Sequence, residues 1–474
     1  MLQRDDRAAR RAKTRRYPAA PFLIRLAAAA RGVTAGQYSV CIVVAVAAAS
    51  AAGALALAVA EAGGHQIDFD IYRMAAGHVD RPDLYSVRLP RSLMSHGSLG
   101  LHFTYPPFAA LLFWPFTLLS VAAAQLAWTV LNLGGLLALS CVSVRAARPA
   151  WPAGRTLALA ACLLLPVLLL DPDRLTVSLG QVNFFVALLA LTDLTCTLRI
   201  GQRTVPRGVL LGLAAAIKLT PLIFVPLLLL TRQFRAAAVA SLTFLLCSLG
   251  MLAIAPRSSG LYWSTEILDD KRSGNLLYVS DQNLHSALQR LIGSPPAPLL
   301  LGVLTVLLAG GGLAAARWAY FASSPLLGVL LCAATGLMIS PVSWIHHYVW
   351  VGPALAWLAL GADRPRAGGW WALGLAALCW AAPAWWVPDQ QRPYGGPVTL
   401  LEGNSFFLAA VAFVILAAVM LLTRARRRRW AGGHWASGHW AGGNPLQDHG
   451  QPVHAAAAGP VPGAPGSRSA CPLS

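Results

Sequence analysis

Ten stretches of this chain are apolar for the length of a bilayer crossing or nearly so, and short arginine-bearing segments separate many of them. A helix rises about 1.5 Å per residue, so about 20 apolar residues, with a range of about 17–25, cross a hydrocarbon core. The runs lie at roughly 38–60, 121–144, 157–170, 175–198, 236–254, 298–316, 325–342, 348–361, 369–386 and 405–423. Runs 157–170 and 348–361 are short and borrow flanking residues. Charged residues make up only 12% of the 474, against 57% hydrophobic. An ordinary soluble domain carries about 25% charge. A soluble enzyme could not hide so much apolar surface, and a mainly disordered chain has the opposite signature of high charge and low hydrophobicity. The fold class read from this pattern is an all-α polytopic membrane protein with about ten full spans.

The charge orients those spans. Lysine and arginine number 37 against 18 acids, a formal net charge of +19. A pI near 10.4 would suit a nucleic-acid partner. However, the positive charge is confined to short segments between apolar runs, so no nucleic acid is expected and the bilayer is the partner. Residues 1–31 hold nine basic residues against two acids, and five arginines lie between Arg424 and Arg429. With the N-terminus inside, the loops holding Arg145, Arg148 and Arg155, then Arg199, Arg203 and Arg207, then Arg317, then Arg364 and Arg366, all fall in the cytoplasm. Of the 18 acids, 13 fall outside. The expected organisation is a basic cytoplasmic segment 1–37, a transmembrane domain 38–423, and a basic then low-complexity cytoplasmic tail 424–474, in the cell membrane with both termini cytoplasmic. The first apolar run starts near Tyr38, too late for a cleaved signal peptide, and reads as a permanent anchor.

Two apolar stretches resist a simple crossing. Residues 105–119 are short and interrupted by Pro106, Pro107 and Pro115, which suits a re-entrant or juxtamembrane helix. Residues 208–230 have basic residues at both ends and Lys218 and Pro221 in the middle. A single crossing there breaks the charge rule, whereas two half-helices turning near Lys218 keep it. Broken backbone at membrane depth is tolerated where it is buried in protein or lines a wet cavity. An ionisable group in an apolar run is by default a functional candidate, with snorkelling to the interface as the bland reading.

Chemistry gathers outside. Two long loops, Glu61 to about Thr104 and Pro256 to Pro296, hold most of the outer acids, including Asp269 and Asp270 beside Lys271 and Arg272. Asp68 and Asp70 follow the first span closely, and a carboxylate held against an apolar wall there has the raised pKa of a general base. The bland reading of either acid is a solvated loop charge. Ser340 to Tyr348 carries Trp344, His346 and His347 at a span boundary, either an anion-binding group or an interfacial aromatic belt. Gln181 and Asn183 open another span on the same side and offer amides to a polyol or to the helix end. The eight cysteines stand alone with no CxxC pair, so neither a disulfide framework nor a metal site is expected. No cofactor is expected, and a divalent ion is left open. The tail repeats Gly-His-Trp-Ala at His434 and His439, too little for a metal site in a Gly/Ala/Pro-rich segment.

The segments Asp68-Phe69-Asp70-Ile71-Tyr72-Arg73, Leu84-Tyr85, Phe103-Thr104-Tyr105-Pro106-Pro107-Phe108, Gly180-Gln181-Val182-Asn183, Ile217-Lys218-Leu219-Thr220-Pro221, Asp281-Gln282-Asn283-Leu284-His285 and Ser340 to His347 occur in this order. In them the chain resembles the actinobacterial polyprenol-phosphate-mannose-dependent α-1,2-mannosyltransferases of glycosyltransferase family 87, within the GT-C superfamily. That resemblance implies a GT-C-like helical fold with its active site at the outer face. It implies a polyprenyl-phosphate sugar donor, a glycolipid or glycan acceptor and an essential early Asp, assigned to Asp68 with Asp70 in reserve. Family sequences usually have one acid here, and often Asn-Gln-Ser where this chain has Asp-Gln-Asn-Leu-His. The expected catalytic residues are Asp68, Asp70 and His346. The expected substrate-binding residues are Tyr72, Tyr105, Gln181, Asn183, Lys218, Gln282, Asn283, Trp344 and His347. The competing readings are a transferase using another polyprenyl-phosphate sugar, a transporter or flippase of lipid-linked glycans, and a non-catalytic scaffold. A transporter would show pseudo-repeated halves, which the sequence lacks, and a scaffold would tolerate loss of the acids and histidines together.

Overall fold

The computed structural model describes residues 35–63, 66–88, 102–268, 275–322, 324–388 and 395–437. The N-terminal basic cluster, the stretch Asp269 to Arg272 and the histidine repeat at His439 lie outside the described residues. The chain divides into two units between Val46 and Ala47. The described part of the first is the start of helix α1 (Ala35–Ala62), whose side chains from Ser39 to Val46 are mostly exposed.

The second unit is helical, apart from a two-residue ribbon of β1 (Arg199–Ile200) and β2 (Arg203–Thr204). After α1 come α2 (Ile67–Ala76), α3 (Pro107–Phe113) and α4 (Val121–Ala147). Ser120 caps α4 by accepting from Ala123 N. Next come α5 (Ala153–Cys162), α6 (Leu164–Leu168), α7 (Asp171–Ser178), α8 (Asn183–Thr195), α9 (Val209–Ile217), α10 (Phe224–Leu230), α11 (Phe234–Ile254) and α12 (Pro256–Ser264). The chain closes with α13 (Leu284–Ile292), α14 (Pro298–Phe321), α15 (Pro325–Ile339), α16 (Val351–Leu360), α17 (Gly368–Ala381), α18 (Pro397–Gly403) and α19 (Ser405–Ser437). Among the described residues, five helical stretches are long and apolar enough to cross a membrane: Ser39–Glu61, Val121–Ala147, Phe234–Ile254, Pro298–Phe321 and Ser405–Arg427.

Several expected spans are not single helices. Run 157–170 is divided between α5 and α6, and run 175–198 between α7 and α8. Proline and glycine account for much of this. Pro172 occupies the first turn of α7, where its missing N–H costs nothing. Gly180 adopts φ +69 between α7 and α8, a left-handed backbone that only glycine takes freely. Run 348–361 begins as a 3-10 turn, Ile345–Trp350, before α16. Run 369–386 ends its α-helix at Ala381, ahead of Pro383.

The hairpin expected at Lys218 is present. Lys218 is extended (φ −149, ψ 129) after α9, and a 3-10 turn, Thr220–Ile223, leads into α10. Pro221 explains the break, since its ring would meet the Ile217 carbonyl were the helix to continue. Gly208 and Gly212 lie so tightly against the backbone of α11 that a Cβ would come within 2.3 Å of Ala236 O and 2.5 Å of Ala240 O. Helix α9 therefore runs alongside α11 in the same direction, and α10, joined to α11 through residues 231–233, runs back.

Contacts sort the ends of the helices. At the end away from Lys218, Asp193 accepts from Gly208 N and Leu211 N at the start of α9. Arg317 donates to Leu230 O, and Arg424 donates to Asp363 O and Arg364 O. The opposite end gathers α2, the N-terminal ends of α4 and α8, residues 279–283 and the segment 340–347. An aromatic cluster secures α2 there: Phe69 stacks on Trp128 at 5.5 Å and meets Phe113 and Phe116 edge-on.

Candidate active site

Helix α2 starts against the turn that precedes α8. Asp68 N and Phe69 N both donate to Leu179 O, at 3.0 and 3.3 Å. A Cβ on Gly180 would lie 2.6 Å from Phe69 Cβ, so this approach requires glycine. Trp128 Nε1 holds the Gly180 carbonyl at 2.8 Å. Because residues four apart share a helix face, Asp68 and Tyr72 both look toward Gln181. Gln181 Nε2 donates to Asp68 Oδ2 at 2.6 Å, and its Oε1 accepts from Tyr72 at 2.8 Å and Tyr105 at 2.9 Å. Burial pushes the Asp68 carboxyl up to about 6, against the opposing pull of the Gln181 hydrogen bond and the Lys218 charge. That is a carboxylate poised to accept a proton near neutrality.

The acid doublet is split. Two residues turn a helix by about 200°, and Asp70 faces α4, where Gln125 Nε2 donates to its two oxygens at 3.0 and 3.1 Å. Arg73 bonds the Phe116 and Leu119 carbonyls and so ties α2 to the 3-10 turn Trp114–Leu118.

Lys218 is the cation of the site. Only 7% exposed, it donates to Asn183 Oδ1 at 2.8 Å and sits 5.1 Å from the centre of the Tyr105 ring. Asn183 Nδ2 donates in turn to the His346 carbonyl at 2.8 Å, which also accepts from Thr176 at 3.2 Å. The His346 and His347 rings meet edge-on, 4.7 Å apart. His346 Nε2 and His347 Nδ1 are buried with no hydrogen-bond partner among the described residues. Burial, seconded by the Lys218 charge, holds both imidazoles well below their ordinary pKa. They are therefore neutral, each with one N–H to give. Asp68, Tyr72, Tyr105, Gln181, Asn183, Lys218, His346 and His347 thus form one neighbourhood.

Gln282 and Asn283, expected among the substrate-binding residues, do not present their side chains there. Gln282 Nε2 donates to Val279 O and Gly403 O, and its Oε1 accepts from Phe406 N and Phe407 N at the start of α19. Asn283 bonds Asp281, Pro341 O and Ser286 N. Asp281 holds Ser286 and Ser343 N, while Arg290 clamps the Tyr278 and Asp281 carbonyls and Asn404. Gln282 N donates to Ser343 O and Ile345 N to Ser280 O, which fixes the histidine segment. Trp344 pairs with Asp281 through a β-bridge and packs its ring 5.9 Å from Tyr278. Sequence reasoning missed Gln125, Thr176 and Arg290. The signal for Gln125 was present, a lone amide in an otherwise apolar helix start. Among the described residues no group of three or more His, Cys, Asp or Glu is placed to hold a metal ion.

Residues 103–341 match the sequence profile of glycosyltransferase family 87. The chain is 34% identical over 387 residues to the polyprenol-phosphate-mannose-dependent alpha-(1-2)-phosphatidylinositol mannoside mannosyltransferase of Mycobacterium tuberculosis, covering 77% of this chain and 87% of that one. The Mycolicibacterium smegmatis protein of the same description is 32% identical, over 76% of this chain and 85% of its own. A polyprenol-phosphate-mannose-dependent alpha-(1-2)-phosphatidylinositol pentamannoside mannosyltransferase of Mycobacterium tuberculosis is 29% identical, over 78% and 85%. No solved structure matches the chain.

Proposed function

The chain belongs to glycosyltransferase family 87, and on that premise we propose that it transfers mannose from a polyprenyl phosphate to a glycolipid of the phosphatidylinositol mannoside class, forming an α-1,2 linkage. The acceptor class follows the relatives' descriptions. The observation that carries the reading is the pairing of a proton acceptor with an anion site. Asp68 sits on Gln181, and Lys218 and the neutral histidines sit around Asn183, two residues further along. Asp68 removes the proton from the acceptor hydroxyl. The hydroxyl oxygen bonds to the anomeric carbon from the face opposite the phosphate. The bond from that carbon to the phosphate oxygen breaks, and polyprenyl phosphate leaves with the electron pair. Lys218 offsets the charge on that phosphate, and His346 or His347 donates an N–H to it. A β-linked donor then gives an α-mannoside by inversion, with no metal required.

We further propose ten crossings, with α9 and α10 as a hairpin, both termini cytoplasmic and the site at the outer face of the cell membrane. On this reading residues 38–423 are the catalytic domain, flanked by cytoplasmic segments 1–37 and 424–474. What supports it is the gathering of arginines such as Arg317 and Arg424 at the end away from Asp68, as the positive-inside rule requires. The test is transfer from radiolabelled polyprenyl-phosphomannose in membranes carrying the wild type, Asp68→Asn or Asp70→Asn. Near-normal turnover in Asp68→Asn removes the base from this reading.

A further inference from the structure

We infer that Gln181 is a positioning residue for the proton acceptor rather than a ligand of either substrate. The inference rests on the reading of Asp68 as the base. An amide can bind in two orientations that exchange its oxygen and nitrogen, and the partners decide which is present. Here Oε1 faces two phenol hydroxyls, Tyr72 at 2.8 Å and Tyr105 at 2.9 Å, both donors. A phenol can also accept, so the carboxylate settles the orientation: ionised Asp68 only accepts, Nε2 therefore faces its Oδ2 at 2.6 Å, and Oε1 takes the phenol protons. Gln181 is 4% exposed and Tyr72 also 4%, so beyond the second hydrogen of Nε2 little of the amide is left for a sugar hydroxyl.

The backbone fixes the same arrangement. Gln181 N donates to Thr176 O, and Gly180 with its positive φ brings residues 179–181 against Phe69. The amide is thereby held from both of its ends. Its effect on Asp68 has a definite sign. An N–H donated to a carboxylate favours the ionised form. Gln181 therefore keeps Asp68 able to take a proton despite burial, and it fixes Oδ2, which leaves Oδ1 as the free acceptor atom. The charged and titratable groups facing Asp68 are Tyr72 on its own helix, Tyr105 from the segment before α3, and Lys218 from the tip of the α9–α10 hairpin. The tyrosines stay neutral, since burial pushes both phenols above their usual range. Lys218 acts in the same direction as Gln181 and remains in the variants below.

The experiment is the pH profile of mannose transfer by purified full-length protein in liposomes, with polyprenyl-phosphomannose and phosphatidylinositol mannoside each varied. Wild type should lose turnover as pH falls through about 6, where Asp68 takes up a proton. In Gln181→Leu the neutral form gains, so the acid limb moves to higher pH. Each unit of that move lowers turnover about tenfold on the limb, while KM for both substrates changes little. Gln181→Glu keeps the shape and adds a like charge beside Asp68, so its limb must also move upward. That variant decides the matter if Gln181→Leu fails to fold. An acid limb that stays in place in Gln181→Glu, or a raised KM with an unmoved limb in Gln181→Leu, overturns the inference and makes Gln181 a substrate ligand. Failure of the underlying reading is separate: Asp68→Asn would then keep its turnover at every pH, whatever the Gln181 variants do.

Discussion

Two Gln-x-Asn or Gln-Asn segments that look alike in sequence serve opposite ends in the structure. Gln181 and Asn183 direct their amides at ionisable side chains, Asp68 and Lys218. Gln282 and Asn283 direct theirs mostly at main chain, and both are fully buried. Gln282 spends both N–H groups and its oxygen on Val279, Gly403, Phe406 and Phe407, stapling the loop before α13 to the start of α19. The difference separates a site from its frame. An amide facing a titratable group tunes chemistry, whereas an amide facing peptide groups holds a shape. The frame still matters to the chemistry, because it carries Ser343 and Ile345 and so the position of His346 and His347.

The comparison breaks most visibly at Gln282. Gln282→Ala strands several buried peptide groups at once, each costing about 1–3 kcal/mol, in a fold whose total stability is of order 5–15 kcal/mol. Little folded protein should be recovered in detergent, as read by size exclusion and thermal unfolding. A well-folded Gln282→Ala enzyme with a raised KM would return Gln282 to the substrate-binding group. Asp68→Asn is the opposite case. The protein should fold, bind donor and lose about 10²–10⁴ in turnover, the range of a general base.

Lys218 comes next in size. Removing a charged partner from a phosphate costs about 1.5–3 kcal/mol, so Lys218→Ala should weaken apparent donor affinity roughly ten- to hundredfold. Acceptor KM should change far less. Equal losses for both substrates would place Lys218 with the frame, as a group that merely orients Asn183.

How far these roles could be read beforehand depends on the range of the interaction. The Lys218 hairpin was legible because its causes are local: a cation, a proline four residues after Ile217, and basic flanks. The interrupted runs were less so, since hydropathy counts apolar side chains and Gly180 lowers no such count while it turns the backbone. The role of Gln282 was out of reach, because its partners Phe406 and Phe407 lie more than a hundred residues along the chain. For Asp68 and Asp70 the sequence could offer only a pair. Their division depends on helix phase, which is set by Phe69 entering the cluster of Phe113, Phe116 and Trp128.

That division gives the smallest expected effect. Asp70 faces Gln125, an uncharged partner on α4, and makes hydrogen bonds of 3.0 and 3.1 Å. In Asp70→Asn one amide oxygen still accepts from Gln125, so at that contact the loss is the difference between a charged and a neutral hydrogen bond. That is about 1 kcal/mol, spent on the seating of α2 rather than on the reacting atoms. Turnover should fall about fivefold or less, the pH profile should keep its shape, and a small drop in thermal stability should accompany it. The two acids are only two residues apart, so the same assay on the same membranes measures both. An inactive Asp70→Asn beside an active Asp68→Asn would move the base by one helix face, to the Gln125 side, and with it the expected position of the acceptor sugar.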